Sequence, residues 1–256
     1  MKILARTQML SQYSILDSLA VIKTLGFDGV EICVERKDWS LINLDSIPVD
    51  AIQERVAELN LTPYSFSLHQ DYIYDDESFK MTKAAIQMTP SLGTNIFVFS
   101  GTKKRTGDKN EWNRMVDRTR VLTAIAEDHG VILAKEFEPE FVVGSTQELI
   151  QLFDEIPSPH LAANLDLGHV FICDPQPMQS IHQLGDKIIH GHISGMPTGM
   201  HDHVLMSEGD MDLPAFLRAL KDIGFNNGLA LDLYKYDYEA VAKESITYFH
   251  NLLALL

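Results

Sequence analysis

Residues 131–138 read Val-Ile-Leu-Ala-Lys-Glu-Phe-Glu, and residues 145–148 read Ser-Thr-Gln-Glu. The first segment is an apolar run of β type that turns acidic at its end. The second sets Ser145 and Glu148 at capping-box spacing, where each side chain can satisfy an orphan backbone donor. A helix is therefore expected from Ser145 to about Ile156. Another β-type run follows at 161–167. Strand, helix and strand in this order favour parallel pairing through a right-handed crossover.

The alternation extends in both directions. Further β-type runs occupy 2–5, 29–34, 62–69, 95–100, 187–193 and 228–234, making eight in all. Between them lie helical stretches. One covers 14–25, with Ile15, Leu16, Leu19, Ile22 and Leu25 on one stripe. Another covers 49–59 behind Pro48, a residue suited to a helix's first turn. Gly26, Gly130 and Gly224 sit where helices should stop. Eight parallel strands close a barrel, and 256 residues suit one such domain. An open doubly wound sheet would carry a Gly-rich phosphate loop after an early strand. Neither GxGxxG nor a Walker loop occurs, and the segment 101–107 encloses basic residues without a Lys-Ser/Thr ending. The expected fold is α/β, a (β/α)8 TIM barrel forming one domain over residues 1–256.

Composition narrows the function classes. The formal net charge is −15, and the dense basic cluster is Lys103-Lys104-Arg105, which argues against nucleic-acid binding. Read alone, this cluster is a solvated loop rather than an anion clamp. Cys33 and Cys173 lie far apart with no CxxC pattern, so neither a disulfide framework nor a zinc ribbon is expected. No apolar run approaches the ~18–20 residues of a membrane span, and the N-terminus turns polar before a signal-peptide core could form. A cytoplasmic protein without a membrane partner is the expectation. Exposed Trp and Met on helices would support a homo-oligomer.

A barrel's active site lies at the C-terminal ends of its strands, and metal-competent residues gather there. The third run ends in His69, the fifth in Glu136 and Glu138, and the sixth in Asp166, followed by His169. The seventh carries His190 and His192, the eighth Asp232, and the aperiodic stretch 195–212 adds His201, Asp202 and His203. Long loops in compact domains are usually functional. Of ten histidines, His129, His160, His182 and His250 fall elsewhere. Imidazole and carboxylate donors together suit Zn, Mn, Fe or Co. Taken singly, each residue has a blander reading: an inward carboxylate can be half of a buried ion pair, and a core histidine is more often hydrogen-bonded than metal-bound. Lys135, of opposite parity to Glu136, is expected to point away from the lumen and pair there.

Gly26-Phe27-Asp28-Gly29-Val30-Glu31, Asn164-Leu165-Asp166-Leu167-Gly168-His169, His190-Gly191-His192 and the loop from His201 to Asp212 together resemble the xylose-isomerase-like barrels. That family includes sugar and sugar-phosphate isomerases and epimerases. The resemblance runs over nearly the whole chain. It implies a divalent cation (Mn, Zn, Co or Mg) held by Glu136, Asp166, His192 and Asp232, with Glu138 a rival for Glu136. It implies Glu136 and Asp232 as the catalytic carboxylates. It implies Glu31, His69, Glu138, His169, His190, His201 and His203 around a small sugar-like substrate. One departure stands out: the eighth strand ends in Asp232 where the family usually has Glu. The expected activity is isomerisation or epimerisation of a hydroxy-carbonyl compound through an enediolate. An inosose-type dehydratase or lyase shares the first half-reaction and is the enzymatic alternative. A non-catalytic metal- or sugar-binding barrel is the alternative from another class. The related AP endonucleases need an additional His at the end of the fourth strand. Here that strand ends Phe97-Val98-Phe99-Ser100, which argues against DNA cleavage.

Overall fold

The computed structural model describes residues 1–105 and 108–256; Gly107, which ends the basic segment, lies outside them. The strands are β1 (Lys2–Arg6), β2 (Gly29–Cys33), β3 (Thr62–Ser67), β4 (Ile96–Phe99), β5 (Ile132–Lys135), β6 (Leu161–Asp166), β7 (Ile188–Ile193) and β8 (Gly228–Leu231). They pair in parallel and in sequence order, and β8 closes on β1. The expected barrel is the observed one. The strands are shorter than their apolar runs suggested. His69, Glu136, Glu138 and Asp232 consequently lie just beyond strand ends, in the loops at the barrel's C-terminal mouth.

Local chemistry explains the intervening helices. Ser14 caps the helix Ile15–Leu25 by accepting from the Asp17 amide, and Gly26 ends it at φ 92°. Ser145 accepts from the Glu148 amide, opening Thr146–Glu155 as its capping box predicted. Leu19 and Ile22 of the first stripe are fully buried against the strands, whereas Ile15, Leu16 and Leu25 are only partly covered. Each fully buried aliphatic side chain contributes ~1.5–3 kcal/mol relative to exposure. Among the described residues no helix is long and apolar enough to cross a membrane.

Two features of the barrel aim side chains at the mouth. Register pairs Arg6 with Glu31 across β1 and β2, and Asp166 with His192 across β6 and β7. Register shifts at Val30/Glu31 and Ala163/Asn164 twist the strands beside these positions. The segment 195–212 holds neither helix nor strand, but a bridge between Gly195 and Val204 closes its base. There a Cβ on Gly195 would lie 2.2 Å from the Leu205 carbonyl oxygen, so no larger residue fits.

Lys135 corrects one expectation. It does not pair with a carboxylate outside the lumen. Its ammonium donates to the carbonyls of Ser100 and Glu136 and lies 5.1 Å from the Phe99 ring centroid. Burial lowers its pKa to about 7. The exposed Trp and Met supply a second correction: Trp39 and Met200 are the exposed examples, and both stand in loops, not on helices.

Candidate active site

At the level of the site the lumen is polar, and its members hold one another. The Arg6 guanidinium donates from Nε to Glu31 at 2.9 Å and from Nη1 to Asp232 at 2.5 Å. Ser65 donates to Glu31 at 3.1 Å. Asn164 donates its amide to Glu136 Oε2 at 2.9 Å, and its carbonyl oxygen accepts from His190 Nδ1 at 2.8 Å. Glu31 sits well below the usual carboxylate range: burial works against ionisation, but Arg6 and His192 outweigh it.

That ionised carboxylate orients His192. Glu31 Oε2 lies 3.2 Å from His192 Nε2, which must be the donor. His192 Nδ1 then faces Glu136 Oε1 at 3.4 Å and Asp166 Oδ2 at 4.0 Å, with the Asn164 amide nitrogen also at 3.4 Å. Burial opposes a charge on the ring, but Glu136 and Glu31 hold its pKa well above the ordinary value, so a cation bound here would displace the Nδ1 proton. Asp166 Oδ1 accepts from the His169 amide at 3.0 Å, while Oδ2 is buried with no hydrogen-bond partner among the described residues. Glu136 is held well below its ordinary pKa, since His192, His69 and His169 overcome the cost of burial. Glu136, Asp166 and His192 offer three ligand atoms within 4.8 Å of one another. An imidazole oriented by a carboxylate behind it is the usual arrangement of a metal-binding histidine. The donor set, the orphaned Asp166 oxygen and the oriented imidazole all fit a divalent cation.

Asp232 stands apart from this trio. It groups instead with Asp166 and His203, its Oδ2 lying 3.9 Å from His203 Nδ1. The pairing with Arg6 accounts for the separation, because Asp232 is held toward β1. The buried-ion-pair reading, weighed from sequence for any inward carboxylate, therefore describes Asp232 and Glu31. A third group joins His169, His201 and His203. The carbonyl of Phe137 accepts from His169 Nδ1 at 2.9 Å, turning His169 Nε2 toward His201 Nε2, also at 2.9 Å. Burial, then His169 and His203, lower the pKa of His201 to about 4.

A cavity of about 260 Å³ opens over these groups, and Arg6, His69, Glu136, His192, His203 and Asp232 are among the residues lining it. Glu138, His169 and His201 line it as well. Glu31 and His190 do not reach it. Both are fully buried below the floor, so their expected contact with substrate gives way to a supporting position. Burial lowers the pKa of His190, and of His69, to about 4. Glu138 is shifted the other way, raised by burial and by Glu136.

Sequence reading missed Arg6, Asn164, Trp39, Tyr234 and Lys235. Arg6 carried a signal, a charged residue directly after the apolar run 2–5. Asn164 carried one too, being polar within a strand otherwise apolar up to Asp166. Trp39 had none, because it reaches the mouth from the loop after β2, where it stacks on Tyr234 at 5.3 Å.

Comparison with known proteins places the family and the fold. Residues 19–252 match the model of the xylose isomerase-like TIM barrel family. The fructoselysine 3-epimerase of Shigella flexneri is 24% identical over 249 residues, covering 90% of each chain. The L-ribulose-5-phosphate 3-epimerase of the same species (serotype 5b) is 23% identical, covering 90% of this chain and 86% of its own. Among solved structures, the zinc-bound IolI protein superposes with a TM-score of 0.78 at 23% identity, covering 99% of this chain and 97% of that one.

Proposed function

The chain belongs to the xylose isomerase-like TIM barrel family, and on that premise we propose that it is a divalent-metal-dependent epimerase or isomerase of a ketose or closely related hydroxy-carbonyl compound. The observation that carries this reading is the convergence of Glu136, Asp166 and His192 Nδ1 within 4.8 Å of one another, with Glu136 and His192 lining the cavity and Glu31 holding the histidine from behind. Epimerases among the relatives support it. Glu136, Asp166 and His192 would hold the cation; their imidazole and carboxylate donors suit Zn, Mn or Co, and the similar IolI structure holds zinc. When bound, the cation polarises a substrate carbonyl and stabilises negative charge on its oxygen.

The chain's own residues do the rest. Glu136 and Asp232 both line the cavity and belong to different ligand groups, so a substrate lying between them presents a carbon to each. One carboxylate takes the proton beside the carbonyl, and the other returns one to the enediolate. Arg6 holds Asp232 in place through its Nη1. Asn164 holds Glu136 through its Oε2, so the carboxylate cannot rotate away from the floor. His169, His201 and His203 form a wall of imidazole nitrogens suited to substrate hydroxyls.

The test is solvent exchange. Metal-loaded protein is incubated in deuterated water with a panel of ketoses, aldoses and inososes, and the α-position is followed by NMR. Deuterium should enter the substrate. Glu136→Gln and Asp232→Asn should each slow entry by ~10²–10⁴-fold, the usual range for acid–base groups. No exchange anywhere in the panel, with metal bound, would favour a binding barrel without turnover.

A further inference from the structure

A second cavity of about 630 Å³ adjoins the first, and the two share Trp39, His69, Glu138 and His201. The first alone is smaller than the ~300–1,000 Å³ usual for small-molecule sites, and the pair falls within that range. A substrate filling both is longer than a simple ketose.

The charges around the two cavities state what such a substrate cannot carry. Each Lys or Arg lining them is paired with a carboxylate: Arg6 with Glu31 and Asp232, Lys103 with Glu140 at 2.9 Å, Lys235 with Asp202 at 2.6 Å. The neighbouring Lys104 and Arg105 are engaged by Glu148 and Asp71. Barrels often bind phosphate at the helix N-termini behind strands seven and eight. Here the helix Leu213–Asp222 begins with Asp212 accepting from the Ala215 amide. The helix Tyr238–Ala254 begins with Asp237 accepting from the Ala240 amide. Both termini already hold a negative charge where a phosphate would dock.

At the junction of the cavities the preference reverses. Glu138 lines both, and no salt bridge neutralises it among the described residues. Trp39, 54% exposed and stacked on Tyr234, stands on the same shared wall. A carboxylate and an aromatic face together form a receptor for a protonated amine. We propose that the substrate is an unphosphorylated ketose bearing an amine-linked substituent, with the sugar in the first cavity and the amine between Glu138 and Trp39. The substituent then runs into the second cavity.

This rests on the epimerase reading, so its test measures binding without turnover. Metal-loaded protein is titrated calorimetrically with three hexitols that cannot isomerise: the bare hexitol, its terminal phosphate ester, and a 1-alkylamino-1-deoxyhexitol. The amine should bind about tenfold tighter than the bare hexitol, and the phosphate weakest. Trp39→Ala and Glu138→Gln should each bring the amine-to-bare ratio toward one. Tighter binding of the phosphate, equal affinities, no binding of any of the three, or a ratio that neither substitution changes would overturn the proposal. Solvent exchange without amine preference would sink this inference alone, and amine preference without exchange would sink the catalytic reading alone.

Discussion

Arg6 and Asp232 meet at 2.5 Å across the β1–β8 junction, and the same guanidinium holds Glu31 at 2.9 Å, all three nearly inaccessible to solvent. One cation thus balances two buried carboxylates. Removing it strips Asp232 of its guanidinium and leaves Glu31 with Ser65 and His192 alone, and breaking a buried pair from one side typically costs ~3–5 kcal/mol. Arg6→Met should lower stability to urea by about that amount, and adding Asp232→Asn should recover part of the loss. A change within ~0.5 kcal/mol, the range of ordinary surface substitutions, would mean that water or rearrangement supplies the missing charge balance.

Metal content separates the two ligand groups. Protein purified without chelator and loaded with zinc should retain about one equivalent by elemental analysis. Asp166→Asn and His192→Ala should lose it. Glu31→Gln, which loosens the hold on His192, should weaken binding by ~10–100-fold. Asp232→Asn should keep the ion, since Asp232 is committed to Arg6. Loss of metal in that variant would return Asp232 to the ligand set that the family resemblance implied.

Asp232→Glu restores the residue usual in the family but lengthens a side chain already in contact with Arg6. Overpacking of this kind costs ~1–3 kcal/mol. Stability and exchange rate should both fall. A faster exchange rate would show that the shorter carboxylate is a loss of catalytic power, not a fit to this site.

Glu35 gives a pH signature away from the candidate metal ligands. It is buried, its Oε1 accepts from the His69 amide, and its Oε2 has no partner among the described residues. Burial pushes its pKa up to about 7 from 4.5. The folded state therefore binds more protons than the unfolded chain between those values. The resulting stabilisation is full below pH 4.5 and disappears as pH rises through 7. Relative to Glu35→Gln, wild type should lose about 3 kcal/mol between pH 4.5 and 8 in denaturant titrations. Identical pH profiles for the two proteins would refute the shift.

The barrel was legible because its signals are local. Capping at Ser145, the stop at Gly26 and the apolar runs are each readable within a few residues. Glu136, Asp166 and His192 were legible for a related reason: strand ends in a parallel barrel must converge, whatever their separation in sequence. The partner of Asp232 was not. Asp232 and Arg6 are 226 residues apart, and only closure of β8 on β1 makes them neighbours. The supporting positions of Glu31 and His190 were hidden for a similar reason, since strand periodicity separates inward from outward but says nothing of height along the lumen. Trp39 depends on the path of a loop, which no periodicity describes.

The aspartates at the starts of Leu213–Asp222 and Tyr238–Ala254 also bear on how such a barrel could diverge. Asparagine caps a helix about as well as aspartate, yet carries no charge. Asp212→Asn or Asp237→Asn needs a single nucleotide change, keeps the helix start, and removes the negative charge that repels a phosphate from the remaining first-turn amides. Neither position lies among Glu136, Asp166 and His192. A descendant could thus acquire phosphorylated substrates in small steps, each of them folded and each retaining its cation site. Selection between neutral and phosphorylated sugars would then act on helix starts, leaving the chemistry at the strand ends untouched.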